Sequence, residues 1–334
     1  MDNLTHTLTG IAISQSGLNR KTRFATLVLI LGANAPDLDI ISGFKGSLAY
    51  LKFHRGVAHS FLGITALAFI IWGLVYWLGT RTRPRPWLPL RGGWLLLAAF
   101  LGTGSHLLLD FTNAYGVRPF LPFSGRWYAW DIMPIIDPLL LAILIFGLVV
   151  PWLLRLISEE VGAGKVRPAP GAIFCLAGMV MLWGVRDFAH RRALSILDSH
   201  TYSGDVAQRL GAFPVAINPF TWMGVVETEA SFHVVWVHAL NADSLPEDIE
   251  TFDKPQPSRA LTAAMNTPGA RIFLDFARFP WAQVEEGQDS SSVSLEDLRF
   301  LRPSTSSRSF ILEVALDKDL RPISENFYFA TPGR

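Results

Sequence analysis

The sequence predicts an α-helical membrane protein of four to six membrane helices with a C-terminal β-rich (α+β) soluble domain. Three observations predict it. Half of the 334 residues are hydrophobic, and the mean hydropathy is +0.31. Charged residues make up 17%, against roughly 25% in an ordinary soluble domain. The apolar excess fills residues 1–188, whereas 189–334 has the composition of a soluble polypeptide with alternating, strand-like runs. The expected division is a helical membrane domain over 1–188 and a β-rich domain over 189–334. A formal net charge of +1 gives no general attraction to nucleic acid, so no nucleic-acid partner is expected. The single cysteine, Cys175, lies in an apolar run, which excludes an intrachain disulfide and a cysteine-based zinc motif.

A membrane helix needs about 20 apolar residues. Residues 57–79, 93–113, 133–157 and 170–188 meet this. Residues 23–41 are long enough but are interrupted by Pro36, Asp37 and Asp39, and Pro36 should push Ala35 out of the α region. Residues 4–17 are too short to cross and read as a half-buried or re-entrant helix. Asp2 precedes this stretch and the basic residues follow it, the reverse of a cleavable signal. After residue 188 a short helical stretch is expected near 188–211. Strands are expected in 222–240, 270–279, 307–317 and 323–330, with Pro280 breaking one strand and 286–294 forming a loop.

Orientation follows the basic residues. The linker 80–92 carries Arg81, Arg83, Arg85 and Arg91 with no acid, which places it in the cytoplasm. The turn 18–23 is also basic, and Arg155, Lys165 and Arg167 give a weaker signal of the same sense. The loops near 42–56 and 114–132 and the C-terminal domain then face outward, in a multi-pass protein of the inner (cytoplasmic) membrane. Arg186, Arg191 and Arg192 run against this assignment.

This topology gathers the ionisable residues of the apolar half at one face. Such residues are costly in a membrane and are usually retained for function. His106 and Asp110 are one helical turn apart and share a face. Asp37 and Asp39 follow a broken span, where they either ligate or cap the next helix. His54 and His59 lead into another span. His6, with Gly10 one turn on, begins the first helix. Imidazole and carboxylate together are ligands for zinc, manganese or iron. The expected metal ligands are therefore His6, Asp37, Asp39, His54, His59, His106 and Asp110. Seven candidates exceed one tetrahedral site, so the centre is either mononuclear with some residues orienting ligands from behind, or dinuclear. Asp131 and Asp137 are candidates for that supporting role, although Asp137 before Pro138 also reads as a helix cap. Arg55, Arg118 or Arg126 could hold an anionic group; a membrane-interface anchor is the competing reading of Arg55. Trp127, Tyr128 and Trp130 read as a headgroup-level belt. Ser60 lacks the surroundings of a hydrolase nucleophile. His190, His200, His233 and His238 read as structural or surface residues, with His233 and His238 on opposite faces of a strand.

The motifs Asp2-x-x-Thr5-His6-x-x-x-Gly10, Ala35-Pro36-Asp37-x-Asp39, His54-Arg55-Gly56-x-x-His59-Ser60, His106-x-x-x-Asp110 and Asp131-x5-Asp137-Pro138 resemble, in order and number, the YdjM-type family of predicted inner-membrane metal-dependent hydrolases. Segments 217–228, 277–286 and 295–301 are similar to its longer members. The resemblance implies a membrane-bound hydrolase, related to zinc phospholipase C and the single-strand nucleases. Those enzymes carry a further His-x-x-x-Glu motif that this sequence lacks, which counts against a full three-metal site. The expected activity is hydrolysis of a lipid or lipid-linked phosphoryl or ester bond at the extracytoplasmic interface. Asp37 or Asp39 would act as base, with Arg55 at the substrate. A binding or assembly protein with a structural metal is the alternative. An ion transporter is a third reading, disfavoured because the ionisable groups gather at one face. The C-terminal domain would hold substrate or bind a partner.

Overall fold

The computed structural model describes residues 1–160, 169–241, 249–301 and 309–330. The orientation signal carried by Lys165 and Arg167 lies outside these residues. Helices α1 (Asn3–Gln15), α2 (Ala25–Asn34), α3 (Ser47–Phe53), α4 (Phe61–Thr80), α5 (Gly92–Phe111), α6 (Pro138–Glu160) and α7 (Ala169–Asp198) come first. Strands β1 (Arg209–Pro214), β2 (Thr221–Glu227), β3 (Ser231–His238) and β4 (Ile249–Asp253) follow. Two short helices, α8 (Arg259–Met265) and α9 (Pro268–Phe276), lead to β5 (Pro280–Glu286), β6 (Ser290–Asp297), β7 (Ser309–Asp317) and β8 (Pro322–Ala330).

The chain divides into two compact units. Unit 1 comprises Met1–Asp39, Arg55–Phe188 and Pro214–Pro219. Unit 2 comprises Ile40–His54, Ala189–Phe213 and Phe220–Arg334.

Unit 1 is a helical bundle. Five elements among the described residues are long and apolar enough to cross a membrane: Ala25–Lys45, Phe61–Thr80, Gly92–Phe111, Pro138–Ile157 and Ala169–Asp198. The first corrects one expectation. Ala35 stays helical, at φ −62° and ψ −36°. Pro36 instead opens a 3-10 helix, Ala35–Lys45, whose first turn tolerates a residue without an N–H. α1 packs on α2, and α2 on α5. These approaches need small residues. A Cβ on Gly10 would lie 3.1 Å from the Leu29 carbonyl oxygen, and one on Gly102 would lie 2.9 Å from the same atom. A Cβ on Gly32 would lie 3.1 Å from both Gly102 Cα and Thr103 N of α5. These contacts bring the ends of α1, α2 and α5 together. α6 and α7 bury Leu140, Leu144, Cys175 and Met179 in a second apolar cluster.

Arg186 does not act as an orientation signal. It is fully buried on α7 and its Nη2 donates to Asp137 Oδ2 at 2.5 Å. Asp137 also caps α6, accepting from Leu140 N at 2.8 Å.

Unit 2 holds two four-stranded sheets, ordered β1-β2-β3-β4 and β5-β6-β7-β8. β2 to β4 and β5 to β8 pair antiparallel with sequential neighbours. His233 is buried and His238 exposed, as their alternation predicts. Three local expectations are corrected. Residues 270–276 belong to helix α9: Thr267 caps it by accepting from Ala270 N, Pro268 starts it, and Gly269, Ala270, Phe273 and Phe276 form a buried face with helical spacing. Pro280 begins β5 rather than breaking a strand, a position that needs no N–H in the ladder. Residues 290–294 are strand, not loop, because Val293 and Leu295 alternate into the core. The helical stretch expected near 188–211 is the last part of α7, which ends at Asp198, and β1 begins at Arg209.

The Asp137–Arg186 pair gives a stability prediction. Removing one partner strands a buried charge, at a cost of about 3–5 kcal/mol. Arg186→Met should therefore lower the unfolding midpoint of the detergent-solubilised protein sharply. Adding Asp137→Asn, which keeps the cap, should restore most of the loss. A single mutant as stable as the parent would contradict the buried pair.

Candidate metal centre

Four side chains converge in unit 1. Asp37 lies in the 3-10 helix after α2, His59 closes the 3-10 turn Val57–His59 before α4, and His106 and Asp110 lie one turn apart near the end of α5. The two imidazole Nε2 atoms are 3.0 Å apart. Asp37 Oδ1 is 3.4 Å from His59 Nε2 and 3.5 Å from His106 Nε2. Asp110 Oδ2 is 3.3 Å and 3.5 Å from the same two atoms. Four donors placed tetrahedrally about 2.0–2.1 Å from a zinc ion would lie about 3.3–3.4 Å from one another. The four imidazole–carboxylate separations, 3.3–3.5 Å, match that edge length and the Nε2–Nε2 separation is somewhat shorter, so these residues could hold one metal ion.

Surrounding contacts orient the donors. His106 Nδ1 is 2.7 Å from the Ala33 carbonyl oxygen, which can only accept. The proton of the neutral ring therefore sits on Nδ1 and the Nε2 lone pair faces the centre, as a metal ligand requires. Asp39 Oδ2 is 3.2 Å from His59 Nδ1 and accepts from Arg55 N at 2.9 Å. Asp39 thus stands behind His59. Asp110 is fully buried, and its Oδ1 accepts from Arg55 Nη2 at 3.0 Å and also meets the Met1 nitrogen. Its Oδ2, on the side of the two histidines, has no hydrogen-bond donor among the described residues. A buried carboxylate oxygen in that state fits a site built for a cation.

His6 is buried and stacks on His106 with ring centroids 4.0 Å apart. Its Nε2 is 3.4 Å from Asp110 Oδ1, and neither ring nitrogen makes a hydrogen bond among the described residues. Burial disfavours its charged form and pushes its pKa down to about 4, so the ring is neutral at pH 7. The Asp2 and Thr5 that precede it form a cap: Asp2 accepts from Thr5 N at 3.0 Å and from the Thr5 hydroxyl.

The remaining sequence candidates are not among the four converging donors. His54 ends α3 in unit 2, stacked on Tyr50. Asp131, at φ +61°, and Asp137 are not among the converging donors, and Asp137 is engaged by Leu140 and Arg186. Arg55 is neither an exposed anchor nor a free clamp. It is buried, its Nη1 donates to Asn113 Oδ1 at 2.8 Å and to Gly116 O at 3.1 Å, and its guanidinium lies over Tyr115. Arg118 is buried over Trp127, and Arg126 is exposed near Tyr128. Ser60 caps α4, accepting from Gly63 N at 3.0 Å while donating to Val57 O at 2.7 Å. Sequence reasoning passed over three contributors: Gly63, where a Cβ would lie 1.9 Å from Val57 O; Asn113, which holds Arg55; and the Ala33 carbonyl. Only Asn113 left a signal, as a polar residue three positions after Asp110.

Residues 1–193 match the family described as YdjM inner membrane protein. The chain belongs to that family. The match covers every donor above, and with the five apolar helices it makes this a multi-pass membrane protein. A protein of Bacillus subtilis (strain 168), described as the uncharacterized protein YfhP, is 31% identical over 150 residues. That alignment covers 41% of this chain and 42% of the relative, so the chain spans less than half the length of the curated relative it matches. No solved structure matches the chain.

If the donors form one centre, the protein purified in mild detergent should carry close to one equivalent of a divalent metal per four-donor site. The His59→Ala/His106→Ala protein should lose it while still inserting. Elemental analysis decides, and stoichiometric metal in the double mutant would contradict the assignment.

Proposed function

We propose that this protein is a membrane-bound metal-dependent hydrolase acting on a lipid or lipid-linked phosphoryl or ester bond at the extracytoplasmic interface. The observation that carries the reading is the approach of His59, His106, Asp37 and Asp110 within tetrahedral donor distances at one end of apolar helices. A nitrogen and oxygen donor set suits zinc first, then manganese or iron. A divalent ion there would supply positive charge and acidify a water molecule toward neutral pH.

The chain's own groups divide the remaining work. Asp110 is held by Arg55 and cannot turn away. Asp39 fixes the His59 ring. Asp37 is the donor residue with an accessible side chain, 15% exposed against 0–1% for the other three. Its second carboxylate oxygen is therefore the group best placed to take a proton from attacking water. An apolar cavity of about 320 Å³ lined by Phe61, Ile64, Leu107, Leu108, Phe111 and Tyr128 supports the substrate class. It shares α5 with His106 and Asp110, and its size falls at the lower end of small-molecule pockets. A hydrocarbon chain suits it.

A structural metal is the second reading. It is favoured by the fact that four protein donors complete a tetrahedral sphere, whereas catalytic sites keep a position open. Two variants separate the readings in an assay of headgroup or phosphate release from mixed lipids in nanodiscs. Asp39→Asn should weaken metal affinity about 10–100-fold, with turnover recovered in excess metal. Asp37→Asn should lower turnover about 10²–10⁴-fold without such recovery. A metal-replete protein that releases nothing from lipid, and whose chelation changes only its unfolding midpoint, would favour the structural reading.

The orientation proposed here puts the basic linker inside and unit 2 outside. A reporter fused after residue 86 should report cytoplasm, and one fused after residue 334 the extracytoplasmic side. The opposite pair of results would reverse the topology.

A further inference from the structure

A second cavity, with a partly polar lining, lies at the other end of the unit 1 bundle. Three helices fix which end this is. Arg23 precedes α2 and Asp37 follows it. Thr80 ends α4 and His59 precedes it. Leu90 precedes α5 and Asp110 lies in its last turn. The cavity has a volume of about 410 Å³ and is lined by Arg23, Tyr76, Thr80, Thr82, Arg85 and Leu90, among others.

Its walls come from Arg23, from Tyr76 and Gly79 near the end of α4, and from residues 80–90; the segments 18–24 and 80–92 around it together hold seven Lys and Arg residues and no acid. The backbone holds these like-charged segments together: Arg23 N donates to Pro89 O at 3.3 Å, and Arg91 N donates to Thr22 Oγ1 at 2.9 Å. Arg23 is only 8% exposed. Its Nη2 donates to Thr82 Oγ1 at 2.6 Å and its Nη1 to the Arg83 carbonyl at 3.1 Å. Both acceptors are neutral, and no carboxylate pairs with Arg23 among the described residues. A buried cation without a counter-charge is costly. Arg85, exposed and lining the same cavity, adds a second cation.

The surroundings set the depth. Arg81 lies over the Trp77 ring at 3.4 Å, Lys21 lies over Trp94 at 5.3 Å, and Trp87 is largely exposed. Aromatic rings beside cations at the ends of apolar helices mark headgroup level. Basic pockets between membrane helices bind anionic lipid headgroups.

We propose that this cavity binds the phosphate of an anionic phospholipid. The phosphate would supply the missing charge opposite Arg23 and reach Arg85, while Tyr76 and Leu90 meet the glycerol and first methylenes. The binding is independent of the metal centre at the other end. The same phosphate chemistry exists in free inorganic phosphate, but headgroup depth favours the lipid.

The test uses full-length protein in nanodiscs of equal phosphatidylglycerol and phosphatidylcholine, with retained lipid measured by native mass spectrometry. The parent should retain phosphatidylglycerol preferentially, and excess inorganic phosphate should not displace it. Arg85→Ala, at an exposed site, should weaken retention about fivefold with an unchanged unfolding midpoint, and Arg85→Glu should weaken it more. Arg23→Gln should abolish the preference; should that protein misfold, the Arg85 variants carry the test. Equal retention of both lipids by the parent, unchanged retention in Arg85→Glu, or full displacement by inorganic phosphate would each overturn the proposal.

Discussion

A carboxylate in the interior of a membrane bundle has to be compensated, and Asp110 is the residue on which that requirement falls. It is fully buried on a mainly apolar helix. Taking such a charge out of water costs several kcal/mol. One oxygen is met by Arg55, which reaches it only because Asn113 and Gly116 hold its other arm. The other oxygen faces two histidines and Asp37, an arrangement that gathers more negative charge rather than less. Two carboxylates beside two imidazoles are stable together only with added positive charge, which protonated imidazole or a metal ion can provide.

That demand organises the first part of the chain. α1, α2 and α5 approach through Gly10, Gly32 and Gly102, which lets the Ala33 carbonyl reach His106. Ser60 and Gly63 fold the chain sharply before α4, which brings His59 to the same point. The opposite end of these helices carries cations and almost no acid. The bundle is thus electrically polarised along its axis, with anionic donors at one end and basic residues at the other.

Much of this was legible in the sequence because membrane chemistry exaggerates the signals. Long apolar runs mark spans, and a histidine or aspartate within one stands out at once. His106 and Asp110 announced a shared helix face by spacing alone, and the distribution of arginines placed them beside His59 and Asp37. The roles of individual groups were less legible. Nothing in a linear string separates Asp37, which faces both imidazoles, from Asp39, which stands behind one of them; a turn of 3-10 helix decides it. Arg55 read as a surface clamp because its acceptor, Asn113, is 58 positions away. Arg186 read as an orientation anomaly because its partner, Asp137, lies on another helix. In the β-rich part, residues 270–276 alternate enough apolar groups to resemble a strand, yet the Thr267-Pro268 start makes them helical.

The central claim is that His59, His106, Asp37 and Asp110 surround one metal ion. X-ray absorption at the edge of the metal that copurifies with the protein measures this directly. The account predicts a first shell of nitrogen and oxygen at about 2.0–2.1 Å, with the outer-shell scattering of two imidazole rings. A spectrum without imidazole scattering, or one dominated by sulfur, would contradict it.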